Sequence, residues 1–330
     1  MHPTVGIAGH DKVLTVIVVN WNGRQLLPEC LASLARQSLK EMEILLVDNG
    51  SSDGSVDFVR TEFPSVRILA LDRNFGFAGG NNRGILESSG EFVALLNNDA
   101  VADPHWAERL TEAGRDARTG IAASRVLLYS DREKLDSAGD GMTVIGVGYK
   151  RGHLAPANSY PSAGPVFGAS GCGMLLRRSM LQDVGLFDED FFLIYEDSDL
   201  CFRARLRGWE CRYAPGAVVY HRLNASIRRL SRTHVYYGQR NAEYLYFKNM
   251  PGRLVWKYLP AHLLNGVLAF FYFTGKGHLP GYLRSKYDFM ANLPAALKKR
   301  REIQASRTVS CRDIDGLLER KWLRARSAGK

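Results

Sequence analysis

The chain has 330 residues, 45% hydrophobic and 24% charged, a balance that excludes an intrinsically disordered protein and leaves room for one large domain or a domain with an extension. Its five cysteines (Cys30, Cys172, Cys201, Cys211 and Cys311) are scattered with no Cys-x-x-Cys pair, which argues against a disulfide framework or a thiolate zinc site and for a reducing cytosol. The net charge of +10 is uneven, with 22 Lys/Arg against 6 Asp/Glu from Arg222 onward and 22 against 28 before it, so the last third is the part suited to an anionic partner, lipid or nucleic acid.

Met1 to Lys12 lacks the long apolar core of a signal peptide. Val13 to Val19 is apolar and β-branched and predicts a first buried strand, broken by Asn20-Trp21-Asn22-Gly23. Leu26, Leu27, Cys30, Leu31 and Leu34 then recur at helical spacing. Glu43 to Val47 predicts a second strand ending in Asp48-Asn49-Gly50, and Ser51, Ser52 and Asp53 offer N-caps for a helix over Val56 to Phe63. Val66 to Leu71 predicts a third strand, and Arg73 to Gly84 leads into another helix. Phe92 to Leu96 is a continuous apolar run, as in a strand covered on both faces, and it meets Asn97-Asn98-Asp99 without a break.

Alternating strands and helices with short connections predict an α/β fold with a doubly wound, mostly parallel sheet. The polar strand ends carry Asn20, Asp48 and Asp99 to one edge, where open α/β folds bind ligands. Asp48 can accept hydrogen bonds from a base or ribose, or serve as a turn residue before Gly50. Asp99 is a hard oxygen ligand for a divalent cation that could hold a diphosphate, or a cap for the helix opened by Asp103 and Pro104. Gly79-Gly80-Asn81-Asn82 is not a G-x-G-x-x-G fingerprint and follows the third strand rather than the first, which weighs against a dinucleotide oxidoreductase. Small residues opening a helix still admit phosphate close to the backbone.

Ile121 to Tyr129 predicts a further strand. Ser130 to Pro165 is rich in Gly, Ser, Asp and Pro and reads as a hairpin or mobile loop, either a binding lid or a surface insertion. Gly168, Gly171 and Gly173 flank Met174-Leu175-Leu176, a strand that something approaches closely. Phe187 to Leu200 is the densest chemical stretch, setting Asp188, Glu189, Asp190, Glu196, Asp197 and Asp199 among aromatic and aliphatic residues. Desolvation there lifts a carboxylate toward a useful general base, and an acidic helix start is the structural alternative. Arg203, Arg205 and Arg207 follow on the same helix, placed to pair the acids. Cys211 to Tyr220 predicts a further strand or two, closed by His221, a structural residue unless an oxygen-rich metal site lies nearby.

Five segments in this order resemble an inverting family 2 glycosyltransferase of the GT-A fold, in particular the bacterial rhamnosyltransferase-type group that builds surface polysaccharides. They are Val18-Val19-Asn20-Trp21-Asn22, Val47 to Gly54, Asn74 to Asn82, Leu96-Asn97-Asn98-Asp99, and Tyr195 to Leu200, within residues 13 to 221. The resemblance implies a Rossmann-like, mostly parallel sheet flanked by helices over residues 1–230, with a C-terminal helical extension over 231–330. It implies that Val19, Asn20 and Asn22 line the nucleotide pocket and that Asp48 and Asn49 meet the base. Arg73, Asn74 and a turn from Gly79 to Asn82 would lie along the ribose and diphosphate. Asn97-Asn98-Asp99 stands where the family has D-x-D, with Asp99 as ligand of Mg²⁺ or Mn²⁺; Asn97 replaces the first acid and removes one charge from the metal. Asp197 matches the catalytic base, Glu196 its supporting acid, and His221 a histidine that completes the metal site in some members. The first donor suggested is dTDP-rhamnose, with UDP-hexoses and UDP-galactofuranose as alternatives, and the acceptor is a glycan or lipid-linked hydroxyl.

In the basic last third, Thr233 to Met250 and Leu254 to Phe273 predict helices rich in Tyr, Phe and Leu. The apolar core His262 to Phe273 is too short to span a bilayer of about 30 Å. Lys298-Lys299-Arg300-Arg301 follows, and Gly316 to Arg326 predicts a basic amphipathic helix. Aromatic and aliphatic faces beside Lys/Arg clusters suit an interfacial segment, so a cytoplasmic enzyme peripheral on the inner face of the membrane is expected, the alternative being helices packed on the catalytic domain. A nucleotidyltransferase would be expected to carry a basic Gly-rich phosphate loop after the first strand, which Asn20-Trp21-Asn22-Gly23 is not. A nucleic-acid-binding protein would leave the carboxylate cluster unexplained, so no nucleic-acid partner is expected.

Overall fold

Strand β1 (Leu14–Asn20) sorts its side chains by the alternation of a pleated strand: Leu14, Val16 and Val18 enter one core and Ile17 the other. The computed structural model describes residues 13–223 and 230–322. Met1 to Lys12, on which the signal-peptide expectation rests, lies outside them.

Helix α1 (Leu27–Ala35) buries Leu27, Cys30, Leu31 and Leu34, then β2 (Met42–Asp48), α2 (Ser55–Glu62), β3 (Arg67–Ala70), α3 (Gly76–Glu87) and β4 (Phe92–Leu96) follow. Strands β1, β2, β3 and β4 are parallel where they pair, in the order β4-β1-β2-β3. The register sets Asn20 beside Asp48, so both polar strand ends share the carboxyl edge. α1 covers one face and α3 the other, as a doubly wound sheet requires. Gly79 to Asn82 is the buried interior of α3, not a turn. The reason is close packing: a Cβ on Gly84 would meet Ile17 and Val47, and one on Gly80 would meet Val19.

After β4 come β5 (Ala100–Ala102), α4 (Trp106–Ala113), β6 (Thr119–Leu128), β7 (Leu135–Ala138), β8 (Asp140–Met142), β9 (Gly148–Lys150), β10 (Gly164–Pro165), β11 (Gly173–Arg177), α5 (Arg178–Val184), a 3-10 turn (Glu189–Phe191), α6 (Glu196–Leu206) and β12 (Glu210–His221). β11 inserts antiparallel between β4 and β6, and β12 runs parallel to β6 as one strand with an irregularity between Ala214 and Val218. Asp99 is followed by β5, which excludes the helix-cap reading. Residues 130–165 are not a bare loop: β7 joins the main sheet, β8 and β9 form a hairpin, and Leu135, Asp136 and Ala138 are buried.

Helices α7 (Arg232–Asn249), α8 (Gly252–Gly275), α9 (Leu279–Ala305) and α10 (Cys311–Leu317) complete the described chain. Phe191, Phe202 and Leu206 share a core with Tyr244, Leu245, Tyr246, Phe289 and Ile314, so α7 and α9 pack directly on the region around α6. α8 is 24 residues, which makes it long and apolar enough to cross a membrane by length and composition. The short run seen in the sequence is extended at both ends because Trp256, Tyr258 and Thr274 continue the helix. The helix expected from Gly316 ends at Leu317, since Glu319 instead pairs its backbone with Met142 and Val144; its last part, from 323, lies outside the described residues.

Candidate active site

At the carboxyl edge Asn20 is fully buried and ties four elements together. Its Nδ2 lies 3.3 Å from Asp48 Oδ1, 3.3 Å from Ser51 Oγ and 3.0 Å from Ser55 Oγ, and its Oδ1 accepts from Asn98 Nδ2 at 2.8 Å. Asp48 in turn accepts from the Ser51 amide at 2.9 Å. Asn49 donates to Asn74 Oδ1 and to the Gly76 carbonyl, both at 3.0 Å, and accepts from the Phe75 amide. Exposed Asn22, at φ 50°, accepts from the Ser52 amide. Asn20, Asp48, Asn49 and Asn98 therefore shape the edge from beneath, while Asn22, Arg73 and half-buried Val19, Asn74 and Asn97 lie nearer its surface. Arg73 and Arg83 both lie over the Phe75 ring. Gly79 and Asn82 sit deeper: Asn82 spends its amide on Phe187 and Glu189.

Asp99 and His221 meet where β5 pairs with the end of β12, with Nε2 3.4 Å from Asp99 Oδ1. The other ring nitrogen, Nδ1, lies 2.9 Å from Asp136 Oδ2. Asp136 also takes Lys150 Nζ at 2.7 Å on both oxygens and His153 at 3.2 Å. Burial alone would raise this carboxyl, but Lys150, His153 and His221 hold it well below the usual carboxylate range. Among the described residues no group of three or more His, Cys, Asp or Glu side chains forms a ready metal cage. Two cis ligands of an octahedral ion at about 2.1 Å stand about 3 Å apart, so the 3.4 Å between Asp99 Oδ1 and His221 Nε2 would let both side chains reach one divalent cation.

The acidic stretch sorts itself by partner. Asp188 pairs with Lys248 and Lys299, Asp190 with Lys299, Glu189 with Arg83, and Asp199 with Arg203 and Lys248. Of the three arginines expected to pair these acids only Arg203 does: Arg205 donates to the carbonyls of Val166 and Phe167, and Arg207 binds Asp183. Glu196 and Asp197 keep no cation within ion-pair distance among the described residues. Asp197 accepts from the Gly171 amide at 3.1 Å and from the Ser198 amide at 2.6 Å. Burial pushes its carboxyl up, and these two amides, the Ser198 hydroxyl and Lys150 only partly oppose it. Burial beside Asp197 pushes Glu196 well above the ordinary range, and its Oε2 has no hydrogen-bond partner among the described residues.

The loop before α6 is strained, with Phe192, Ile194 and Tyr195 all at positive φ (61°, 66° and 75°). Residues 171–172 link the two halves of the site: Gly171 donates to Asp197, and the Cys172 carbonyl accepts from the Asn97 amide at 3.2 Å. Sequence reasoning missed Asp136, Lys150, Ser51, Ser55 and Asn241. Nothing in the sequence marked the first two, which lie in a segment read as loop and show their pairing only in the fold.

The description "Glycosyl transferase family 2" matches residues 15–185, and "Glycosyl transferase family group 2" matches residues 144–294. An N-acetylglucosaminyl-diphospho-decaprenol L-rhamnosyltransferase of Mycobacterium tuberculosis is 31% identical over 246 residues, covering 68% of this chain and 80% of the relative. Among solved structures, GalNAc-T7 with UDP, GalNAc and Mn²⁺ aligns at a TM-score of 0.58 and 15% identity, over 73% of this chain and 51% of that one. The mannosyltransferase PcManGT from Pyrobaculum calidifontis in complex with GDP-Man and Mn²⁺ aligns at 0.51 and 17%, over 88% and 90%. These two likenesses show the fold.

Proposed function

Because the chain belongs to glycosyl transferase family 2 and is a glycosyltransferase of GT-A fold, we propose that it is an inverting enzyme. It moves a sugar, rhamnose in first place, from a nucleoside-diphosphate sugar to a hydroxyl of a glycan or lipid-linked acceptor in cell-surface polysaccharide synthesis. One observation carries the reading: of the six acids from Asp188 to Asp199, only Glu196 and Asp197 are without an ion-pair partner among the described residues, and Asp197 is joined through residues 171–172 to the Asn97-Asn98-Asp99 edge.

Asp197 takes the proton of the acceptor hydroxyl as its oxygen attacks the anomeric carbon from the face opposite the nucleotide, and that single displacement inverts the centre. Its raised pKa suits it to hold that proton, and burial beside Asp197 lifts Glu196 well above the ordinary carboxylate range as well. Asn22, Arg73, Asn74 and Asn97 are placed to contact the donor, over a floor formed by Asn20, Asp48, Asn49 and Asn98. A divalent cation, Mg²⁺ or Mn²⁺, on Asp99 and His221 would offset the charge of the departing diphosphate; both aligned structures hold Mn²⁺ with a nucleotide or nucleotide-sugar.

We assign residues 1–230 to the donor-binding and catalytic region and 231–330 to a helical extension. The rhamnosyltransferase relative, named for a decaprenol-linked acceptor, supports a lipid-linked acceptor here. The exposed faces of α8 and α9 support peripheral attachment to the cytoplasmic leaflet. The test is nucleoside diphosphate release from a panel of nucleotide-sugars with Mn²⁺ and a polyprenyl-diphosphate-linked sugar. Release with dTDP-rhamnose ahead of the UDP-sugars is expected; no release with any donor overturns the reading.

A further inference from the structure

We propose that Asp136 is a positioning residue that turns His221 into a one-directional ligand for the divalent cation of the donor diphosphate; this rests on His221 being such a ligand. Asp136 lies on β7, in the stretch between β6 and β8, and is 1% exposed. A buried carboxylate is costly unless paired, and it is paired three times: Lys150 Nζ at 2.7 Å from each oxygen, His153 Nδ1 at 3.2 Å, and His221 Nδ1 at 2.9 Å. The protein has thus placed two further basic side chains on one acid whose third contact is the ring at the donor edge.

The contact fixes chemistry at the ring. An ionised carboxylate only accepts hydrogen bonds, so Nδ1 of His221 carries the hydrogen. In the neutral imidazole the lone pair then sits on Nε2, the nitrogen 3.4 Å from Asp99 Oδ1. A carboxylate behind a metal-binding histidine fixes both tautomer and ring direction and makes the free nitrogen more basic. Lys150 cancels the charge of Asp136, so Asp99 remains the acid that faces the cation. With Asn97 in place of the first acid, Asp99 is the only carboxylate in the Asn97-Asn98-Asp99 segment to attract an ion, and a well-directed His221 compensates.

The test is the affinity of the full-length protein for Mn²⁺ with a nucleoside diphosphate present, read from the electron paramagnetic resonance of free Mn²⁺. Asp136→Asn is expected to weaken Mn²⁺ binding by about 10–100-fold, His221→Ala by at least as much, and the double variant no further than His221→Ala. Wild-type affinity in a folded Asp136→Asn protein, with His221→Ala weakened, overturns the positioning role alone. Wild-type affinity in His221→Ala overturns the ligand assignment beneath it. Should Asp136→Asn not fold, ¹⁵N spectra of the wild-type histidines with Mg²⁺ and the diphosphate decide: a hydrogen on Nδ1 of His221 supports the proposal and one on Nε2 overturns it.

Discussion

The carbonyl of Ile194 accepts a hydrogen bond at 2.7 Å from Nδ2 of Asn241, a fully buried residue of α7. The same amide reaches the carbonyls of Phe191 at 2.9 Å and Leu193 at 2.8 Å, so one side chain pins the turn that delivers Glu196 and Asp197. Three residues of that turn have left-handed backbone, which persists only where the surroundings over-determine it.

Replacing Asn241 with Ala is therefore expected to act on catalysis as well as stability. It strands buried carbonyls, at a cost of about 1–3 kcal/mol, and lets the turn relax away from the geometry that aims Asp197. We expect a lower Tm and at least a tenfold lower kcat, with the donor KM within about twofold of wild type. A variant that loses only Tm would show that the clamp serves folding alone.

Asp197→Asn keeps the size of the side chain and removes its capacity to take a proton. A positioned general base contributes about 10²–10⁴-fold, so transfer should fall by that order while donor binding, measured calorimetrically with a non-hydrolysable nucleotide-sugar, holds. Near-wild-type turnover would move the base elsewhere. Asp188→Asn, by contrast, breaks ion pairs to Lys248 and Lys299 and should lower Tm before it changes the chemical step.

These roles show which part of the site was legible in sequence. The strand ends at Asn20, Asp48 and Asp99 could be read because apolar runs stop there abruptly, and a parallel register then aligns them. Gly79 to Asn82 misled, since glycines that let α3 press on Ile17, Val19 and Val47 look the same in sequence as glycines that admit a phosphate. Asp136 and Asn241 were invisible for another reason. Each acts on residues 85 and about 50 positions away, and such pairings leave no local period. The acids of 188–199 could be found as a group, but only their partners, on α3, α6, α7 and α9, tell which are spent.

Asp140 carries a pH signature. Burial, then the nearby Asp197, push its carboxyl up to about 7, against the help of Ser137 and Lys150. The folded protein thus holds a proton that the unfolded chain, at the ordinary value near 3.8, releases. Stability falls where the folded state binds more protons, so this group lowers stability progressively as pH rises from about 4 to 7. Asp140→Asn removes the penalty and should raise Tm more at pH 8 than at pH 5, read by differential scanning calorimetry. An equal shift at both values would mean that Asp140 titrates normally.

The apolar surface of the last helices gives the sharpest test of where the enzyme works. On α8, Trp256 is 75% and Phe271 67% exposed, with Leu263, Leu264 and Val267 also outward; on α9, Tyr287 is 70% exposed, beside Leu283 and Met290. No acidic residue occurs from Gly252 to Gly275, and Arg253, Lys257, Lys276 and Arg284 flank these positions. Burying one such side chain in lipid gains about 1.5–3 kcal/mol, and each Lys or Arg near an anionic surface adds about 1 kcal/mol. Leu263→Ser combined with Phe271→Ser should therefore weaken binding to vesicles containing phosphatidylglycerol by at least tenfold, without lowering turnover on a water-soluble acceptor analogue. Because α8 also has the length of a membrane span, the wild type should be tested by washing membranes in carbonate. Release by that wash places α8 in the plane of the surface, retention makes it a span, and a wild-type protein that ignores anionic vesicles altogether removes the membrane from the account.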